Sequence, residues 1–281
     1  MTKHRFQFGK FVAVQLMVVS AFAVSYAGLA RESRSKLRQT AFGTVAEPVV
    51  EINRRQPLQI EPLYNDPEVV SDEELAAVLK QIRPKFSPTA LKPNFIEHAL
   101  RTWGVAATFA DPAVMSGLEM RDFLIDHVKF LTAWEDNADV QPLLINRPQG
   151  IAVRWGSDAD GSVHHDHWLA SLTEAGIDLD QAVFAPARRK MTVNDVLQES
   201  LRDFRLDEHE TEWSVMAFGL WLPPTKTWST TDRREMSFDR LGKRLLRGHQ
   251  RVGVCGGTHR VYSLTLLLRL DDDFHILSPP V

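Results

Sequence analysis

The run His164-His165-Asp166-His167 places three imidazoles and a carboxylate in four consecutive positions. Such side chains bind metals, move protons and orient one another through hydrogen bonds. Neighbours on a helix point about 100° apart, so at most two of the four can share one ion. His164 and His167, spaced i and i+3, make the best pair. The preceding Ser157-Asp158-Ala159-Asp160-Gly161 has acids one apart, as calcium loops do. It lacks the rest of that pattern, including the glutamate at loop position 12, and reads as an Asp-Gly turn.

A second candidate is Gly253-Val254-Cys255-Gly256-Gly257-Thr258-His259, which holds the sole cysteine of the chain. A thiolate just before a helix N-terminus is stabilised. Cys255 with His259 as base and Glu212 orienting the imidazole would be a nucleophilic pair. The plainer reading is a Gly256-Gly257 turn with φ > 0 leading into Thr258 as N-cap. The segment is not a P-loop, because Gly-Lys-Ser/Thr is missing, and no G-x-S-x-G elbow or H-E-x-x-H occurs.

Both candidates sit at corresponding points of a helical pattern. His167 opens HWLASL, Glu212 opens EWSVMAFGL and His259 opens HRVYSLTLLL, at steps of 45 and 47 residues. A further step of 45 backwards reaches Asp122 in MRDFLIDH. Helix pairs recurring at this length are a repeat signature, and each pair needs a neighbour to bury its apolar face. Segments 212–222 and 261–270 are apolar on every face, which predicts burial on all sides. Segments 192–205 and 237–247 carry one apolar stripe and predict outer helices. Ser71 with Glu74, Ser116 with Glu119 and Thr192 with Asp195 are capping boxes. Asp207 and Glu210 read as opening the 212–222 helix, and Pro223-Pro224 close it.

The expected fold class is therefore all-α: an incomplete α/α toroid of inner and outer helix pairs over residues 71–281. Parallel inner helices would bring Asp122, His167, Glu212 and His259 to one mouth of the ring, with Trp168 and Trp213 beside them. That mouth is expected to bind a peptide, a glycan or an apolar, lipid-like ligand. His167, Glu212 and His259 plus a water would instead be a zinc centre, with His164 as an additional ligand, serving a metal-dependent hydrolase or transferase. A third reading is a structural envelope protein whose interior is filled by side chains. Helix dipoles alone account for Asp122 and Glu212, but not for the two histidines.

The segment DGSVHHDHWLASL resembles the DGSW turns that precede inner helices in terpenoid cyclases and protein prenyltransferases. GTHRVYSLTLLL is similar to the prenyltransferase segment in which a zinc-binding histidine is followed three residues later by tyrosine. The resemblance covers about residues 116–270 and implies an α/α toroid, with zinc on His259. Prenyltransferases complete that site with an Asp and a Cys two apart, where this chain has Glu210 and Glu212. The acidic D-x-D-D cluster of squalene-type cyclases is absent, which argues against a protonation-driven cyclase. The order MRDFL, HHDHWLASL, EWS, GTHR also resembles that of planctomycete-type bacterial proteins of no established activity.

At the N-terminus, Lys3, Arg5 and Lys10 precede an uncharged, mostly apolar run over 11–30. About 20 such residues cross a bilayer as a helix, so residues 1–30 read as a membrane anchor or signal peptide. The remainder is then expected outside the cytoplasm, although Arg31, Arg34, Lys36 and Arg38 oppose that orientation. Residues 31–70 recur in proline without helical period and read as an extended linker. Net charge is −3 with no basic stripe, which argues against a nucleic-acid partner. A single cysteine excludes an internal disulfide.

Overall fold

The computed structural model describes residues 47–61, 68–87, 89–135, 137–186, 190–247 and 254–279, with position 15. Apart from position 15, the expected membrane segment 11–30 lies outside the described residues. Among the described residues no helix is long and apolar enough to cross a membrane. Residues 47–281 form one unit, distinct from residues 1–46.

The helices are α1 Asp72–Gln81, α2 Pro93–Trp103, α3 Gly117–Ile125, α4 His127–Thr132, α5 His167–Glu174, α6 Val193–Asp203, α7 Glu212–Trp221, α8 Phe238–Arg247 and α9 Thr258–Phe274. Their starts follow from local chemistry. The capping boxes at Ser71, Ser116 and Thr192 are all formed. Pro93 occupies the first turn of α2, where its missing N–H costs nothing. Helix α7 stops before Pro223 and Pro224. Asp207 does not open α7 as expected; its carboxylate pairs with Arg205, and Thr211 is the N-cap.

The described residues are helix-rich, in line with the expected mostly-α class, and short strands account for most of the rest of their regular structure. Three antiparallel hairpins join β1 Leu144–Asn146 to β2 Ile151–Val153, β3 Ala182–Phe184 to β4 Lys190–Thr192, and β5 Thr227–Ser229 to β6 Glu235–Ser237. Each strand has three residues, too few for a period-two pattern to show in the sequence. The order helix, hairpin, helix occurs twice, as α5-β3-β4-α6 and as α7-β5-β6-α8. In both hairpins the central pair is buried: Val183 opposite Met191, and Trp228 opposite Met236.

Helices α3, α2, α5, α7 and α9 pack in that series, with α6 against α5 and α8 against both α7 and α9. Every residue of α7 is buried, as its all-round apolar sequence requires. Helix α9 differs from the expectation of burial on all sides. Ser263, Leu266, Leu267 and Leu270 face inward, but Val261 and Leu268 are 67% and 59% exposed. The row ends at α9, so nothing covers its far flank among the described residues.

Two further expectations are corrected. The helix against α5 is α2, not α3, because α3, α4 and the first hairpin lengthen the connection between α2 and α5. Asp122 therefore lies on α3, where its carboxylate takes Arg121 and Lys129. Residues 47–61 are extended, but they are not a free linker. Gln198 Oε1 accepts from the amides of Val49 and Val50 at 2.6 and 3.2 Å, and its Nε2 donates to the Val50 carbonyl at 2.8 Å. Leu58 N donates to Leu220 O, and Leu179 N to Arg55 O. This strap crosses the C-terminal ends of α5 and α7.

Close packing of α2 against α3 rests on Gly117. A Cβ there would stand 2.3 Å from Gly104 O and 2.4 Å from Val105 O, both backbone atoms that cannot swing aside. Gly117→Ala is expected to cost about 1–3 kcal/mol by overpacking. Urea unfolding of the variant checks this; an unchanged midpoint would mean the contact relaxes freely.

Candidate functional site

The site is organised by the residue that looked least chemical in the histidine run. Asp166 has φ 59°, in the left-handed region that Asp tolerates better than most residues. Its carboxylate accepts from Ser200 Oγ on α6 at 2.7 Å and from Ser214 Oγ on α7 at 2.5 Å. Asp166 thus ties the start of α5 to two neighbouring helices. The tie separates the histidines around it: His165 meets Glu208 at 2.8 Å, while His164 and His167 turn to Trp213.

Trp213, in the first turn of α7, is wholly buried, and its Nε1 donates to Glu210 Oε2 at 3.1 Å. Four imidazoles surround its indole. His167 lies 4.0 Å and His259 4.4 Å from it, both tilted; His164 stacks at 6.0 Å, and His98 meets it edge-on at 6.1 Å. The Arg101 guanidinium is 5.4 Å from the same ring. His98 also meets His167 edge-on at 4.6 Å. The contributors are α2, the turn before α5, α5 itself and α9.

Of the four imidazoles only that of His167 is fully buried, as is Glu97, whose Oε2 lies 2.8 Å from His167 Nδ1. Ser162 Oγ donates to the same oxygen at 3.1 Å. Glu97 Oε1 and His167 Nε2 have no hydrogen-bond partner among the described residues. Buried polar atoms of this kind are costly unless something else satisfies them. On the rim, the 2.8 Å contact of His98 Nδ1 with the Asn94 carbonyl places its proton on Nδ1, leaving the Nε2 lone pair free.

Burial holds His98, His164 and His259 below the usual imidazole range, His164 at about 4. His167 adds to the effect at His98 and His164, and Arg101 at His259. These three rings are neutral at neutral pH, so each can donate from one nitrogen and accept at the other. The His164 Nδ1–Glu210 Oε2 contact at 3.1 Å then sets a neutral imidazole beside the carboxylate. Burial also lowers His165, but the carboxylates of Asp166 and Glu208 outweigh it and push its pKa up to about 9.

Of the residues singled out in the sequence, His164, His167, Trp213 and His259 come together. Glu212 does not join them: its carboxylate takes Arg260 Nε at 3.2 Å. Trp168 is buried toward α3, its Nε1 donating to Leu124 O at 3.1 Å. Cys255 is exposed, and Glu212, expected to orient His259 in that pair, is held by Arg260 instead. The glycine-turn reading holds, with φ 65° at Gly256 and 83° at Gly257. The N-cap, however, is Gly257, and Thr258 Oγ1 donates back to the Cys255 carbonyl.

A zinc centre does not fit these residues. Among the described residues no three of His, Cys, Asp or Glu converge to hold an ion. The imidazoles gather around an indole instead, and Glu212 is turned to an arginine.

Sequence reasoning missed α2, which supplies Glu97, His98 and Arg101. Their spacing sets His98 and Arg101 on one helical face, but a carboxylate such as Glu97 in an amphipathic helix reads as solvated until its burial is known. Glu174 was missed for the same reason, and Tyr262, noted in the sequence only as the tyrosine after His259, turns out to be its partner. Arg101 pairs with Glu174, Tyr262 donates to Glu174, and Arg101 stands 5.0 Å over the Tyr262 ring. No protein-family model, curated protein or solved structure matches this chain.

Proposed function

We propose that the imidazole–indole cluster is the binding site for a neutral, hydroxyl-rich ligand of the glycan class. The observation that carries this reading is the gathering of His98, His164 and His259 on Trp213 around the fully buried His167, whose partner Glu97 is incompletely bonded. Neutral imidazoles offer hydrogen-bond donors and acceptors in the same small area. Arg101, the nearest guanidinium, is already paired with Glu174, so an anion finds little to attract it. Ring faces beside N–H groups suit a sugar, which presents C–H faces and hydroxyls together.

In this reading α2, α5, α7 and α9 are the inner helices of an incomplete α/α toroid, with α3, α6 and α8 outside. The serial packing of the inner row and the repeated helix-hairpin-helix order support it. The apolar run 11–30 would tether the domain to a membrane on the extracytoplasmic side.

The test is titration calorimetry with a panel of neutral mono- and disaccharides. At least one is expected to saturate. His98→Ala and His259→Ala, both on the accessible rim, should weaken it at least tenfold and cost roughly 1 kcal/mol or less in stability. If no saccharide saturates the wild-type protein, the glycan reading fails.

A further inference from the structure

Among the described residues α1 is the one helix that buries nothing. Its sequence is nevertheless amphipathic. Leu75, Val78, Leu79 and Ile82 recur at i, i+3, i+4 and i+7, the spacing of a seam between two helices. Leu75, Val78 and Ile82 are 49%, 55% and 49% exposed, and Val69 and Val70 just before the helix are exposed as well. Single apolar residues on a surface need no explanation, but five large ones within positions 69–82 make a patch. A helix of ten residues is also marginal in water by itself, since isolated helices need about 12–15 residues even when rich in alanine. The Ser71–Glu74 capping box offsets part of that deficit. The helix is anchored only at its end, where Trp103 Nε1 donates to the Ile82 carbonyl at 3.3 Å and Met115 N donates to the Pro84 carbonyl. Its apolar stripe is thus held beside α2 and α3 without being laid on them.

The charges of α1 are ordered along its length. Asp72 and Glu73 stand at the start, Lys80 and Arg83 at the end. The side chains of these four enter no hydrogen bond or ion pair among the described residues, so their charge is unspent. Two copies of α1 laid antiparallel satisfy both patterns at once. With a two-fold axis between Val78 and Leu79, Leu75 faces the partner's Ile82 and Val78 faces the partner's Leu79. The same register sets Asp72 and Glu73 alongside the partner's Lys80 and the partner's Arg83, at both ends of the pair. It also opposes the two helix dipoles. A parallel pair would put like charges together. We propose that this chain forms a two-fold homodimer through the apolar stripe of α1. Two-fold dimers are the commonest oligomers, and their interface is the same patch on both subunits. One ten-residue face per subunit is small for a specific interface, so the association is weak and concentration-dependent.

Sedimentation velocity of the full chain in detergent micelles tests the proposal, over about 5 to about 500 µM, a range suited to an interface of this size. Self-association is expected within that range. Val78→Asp should weaken it at least tenfold, with urea stability at the lowest concentration unchanged, because this side chain touches no core. Asp72→Lys with Glu73→Lys should weaken association at least threefold, and so should Lys80→Glu with Arg83→Glu. An equimolar mixture of those two double variants should recover, because each reversed end then meets an opposite charge. In a chain carrying Cys255→Ser, Val78→Cys should form an interchain disulfide on oxidation, and Glu73→Cys, on the opposite face of the helix, should not. A chain that stays monomeric throughout, or an association indifferent to Val78→Asp, would overturn the dimer. Binding of α1 to phosphatidylcholine vesicles in place of the dimer would overturn it too, and would make the stripe a membrane face. A mixture that fails to recover would overturn the antiparallel pairing.

Discussion

Trp213→Ala is expected to cost about 3–5 kcal/mol and to abolish saccharide binding together. The indole is completely buried at the start of the most buried helix, so its removal leaves a cavity no neighbour can close cheaply. It also strands the Glu210 carboxylate, which accepts from Nε1, and removes the surface on which His98, His164, His167 and His259 are arranged. Trp168 is the control. It is equally buried, and Trp168→Ala also loses a hydrogen bond, to Leu124 O. Its stability cost should be similar, yet binding should survive, because its ring is not among those that meet the imidazoles. Chemical denaturation and calorimetry on the two variants separate the roles. Equal loss of binding in both would reduce Trp213 to ordinary core.

The contrast between these two tryptophans also shows what the sequence could reveal. Both stand at the second position of a helix of the repeat, after His167 and after Glu212, and the repeat assigns them one role. The backbone elements were legible because their signals are local: capping boxes, the Pro223-Pro224 stop and the Gly256-Gly257 turn each depend on a few adjacent residues. The direction of a side chain depends on the helix across from it. Trp168 meets the end of α3 while Trp213 meets imidazoles from α2, α5 and α9, and no periodicity of 45 residues reaches α2. Glu212 illustrates the same limit. Its place at a helix start was readable, but Arg260, its partner, lies on another helix and could not be assigned to it from spacing. The strap escaped notice because extended segments carry their hydrogen bonds on the backbone, and the Gln198 amide that receives them is 148 residues away.

Asp166→Ala is expected to destabilise the protein by about 3–5 kcal/mol, because a buried, hydrogen-bonded charge is removed and its partners are left behind. The carboxylate holds Ser200 and Ser214 and lies 3.4 Å from His165 Nδ1. Alanine also fits φ 59° less well than Asp does. Asp166→Asn keeps that backbone preference and one acceptor, and should cost roughly half as much. The change should be visible in the pH dependence as well. The folded His165 pKa, about 9, lies above the unfolded value of 6.5. Its contribution is therefore complete below pH 6.5 and is lost as pH rises through 9. Asp203, raised to about 6 by desolvation with the neighbouring carboxylates against the pull of His165, loses its contribution between 3.8 and 6. His164 has the opposite sign: with a folded pKa of about 4, it penalises the fold as pH falls from 6.5 to 4. The window from 6.5 to 9 thus reports chiefly on His165. Wild-type stability should decline across it, and Asp166→Ala should flatten that decline, since Asp166 is one of the carboxylates raising His165. Urea midpoints at pH 6.5 and 9 measure both quantities. A wild-type slope preserved in the variant would place the charge that holds His165 protonated on Glu208 and Asp203.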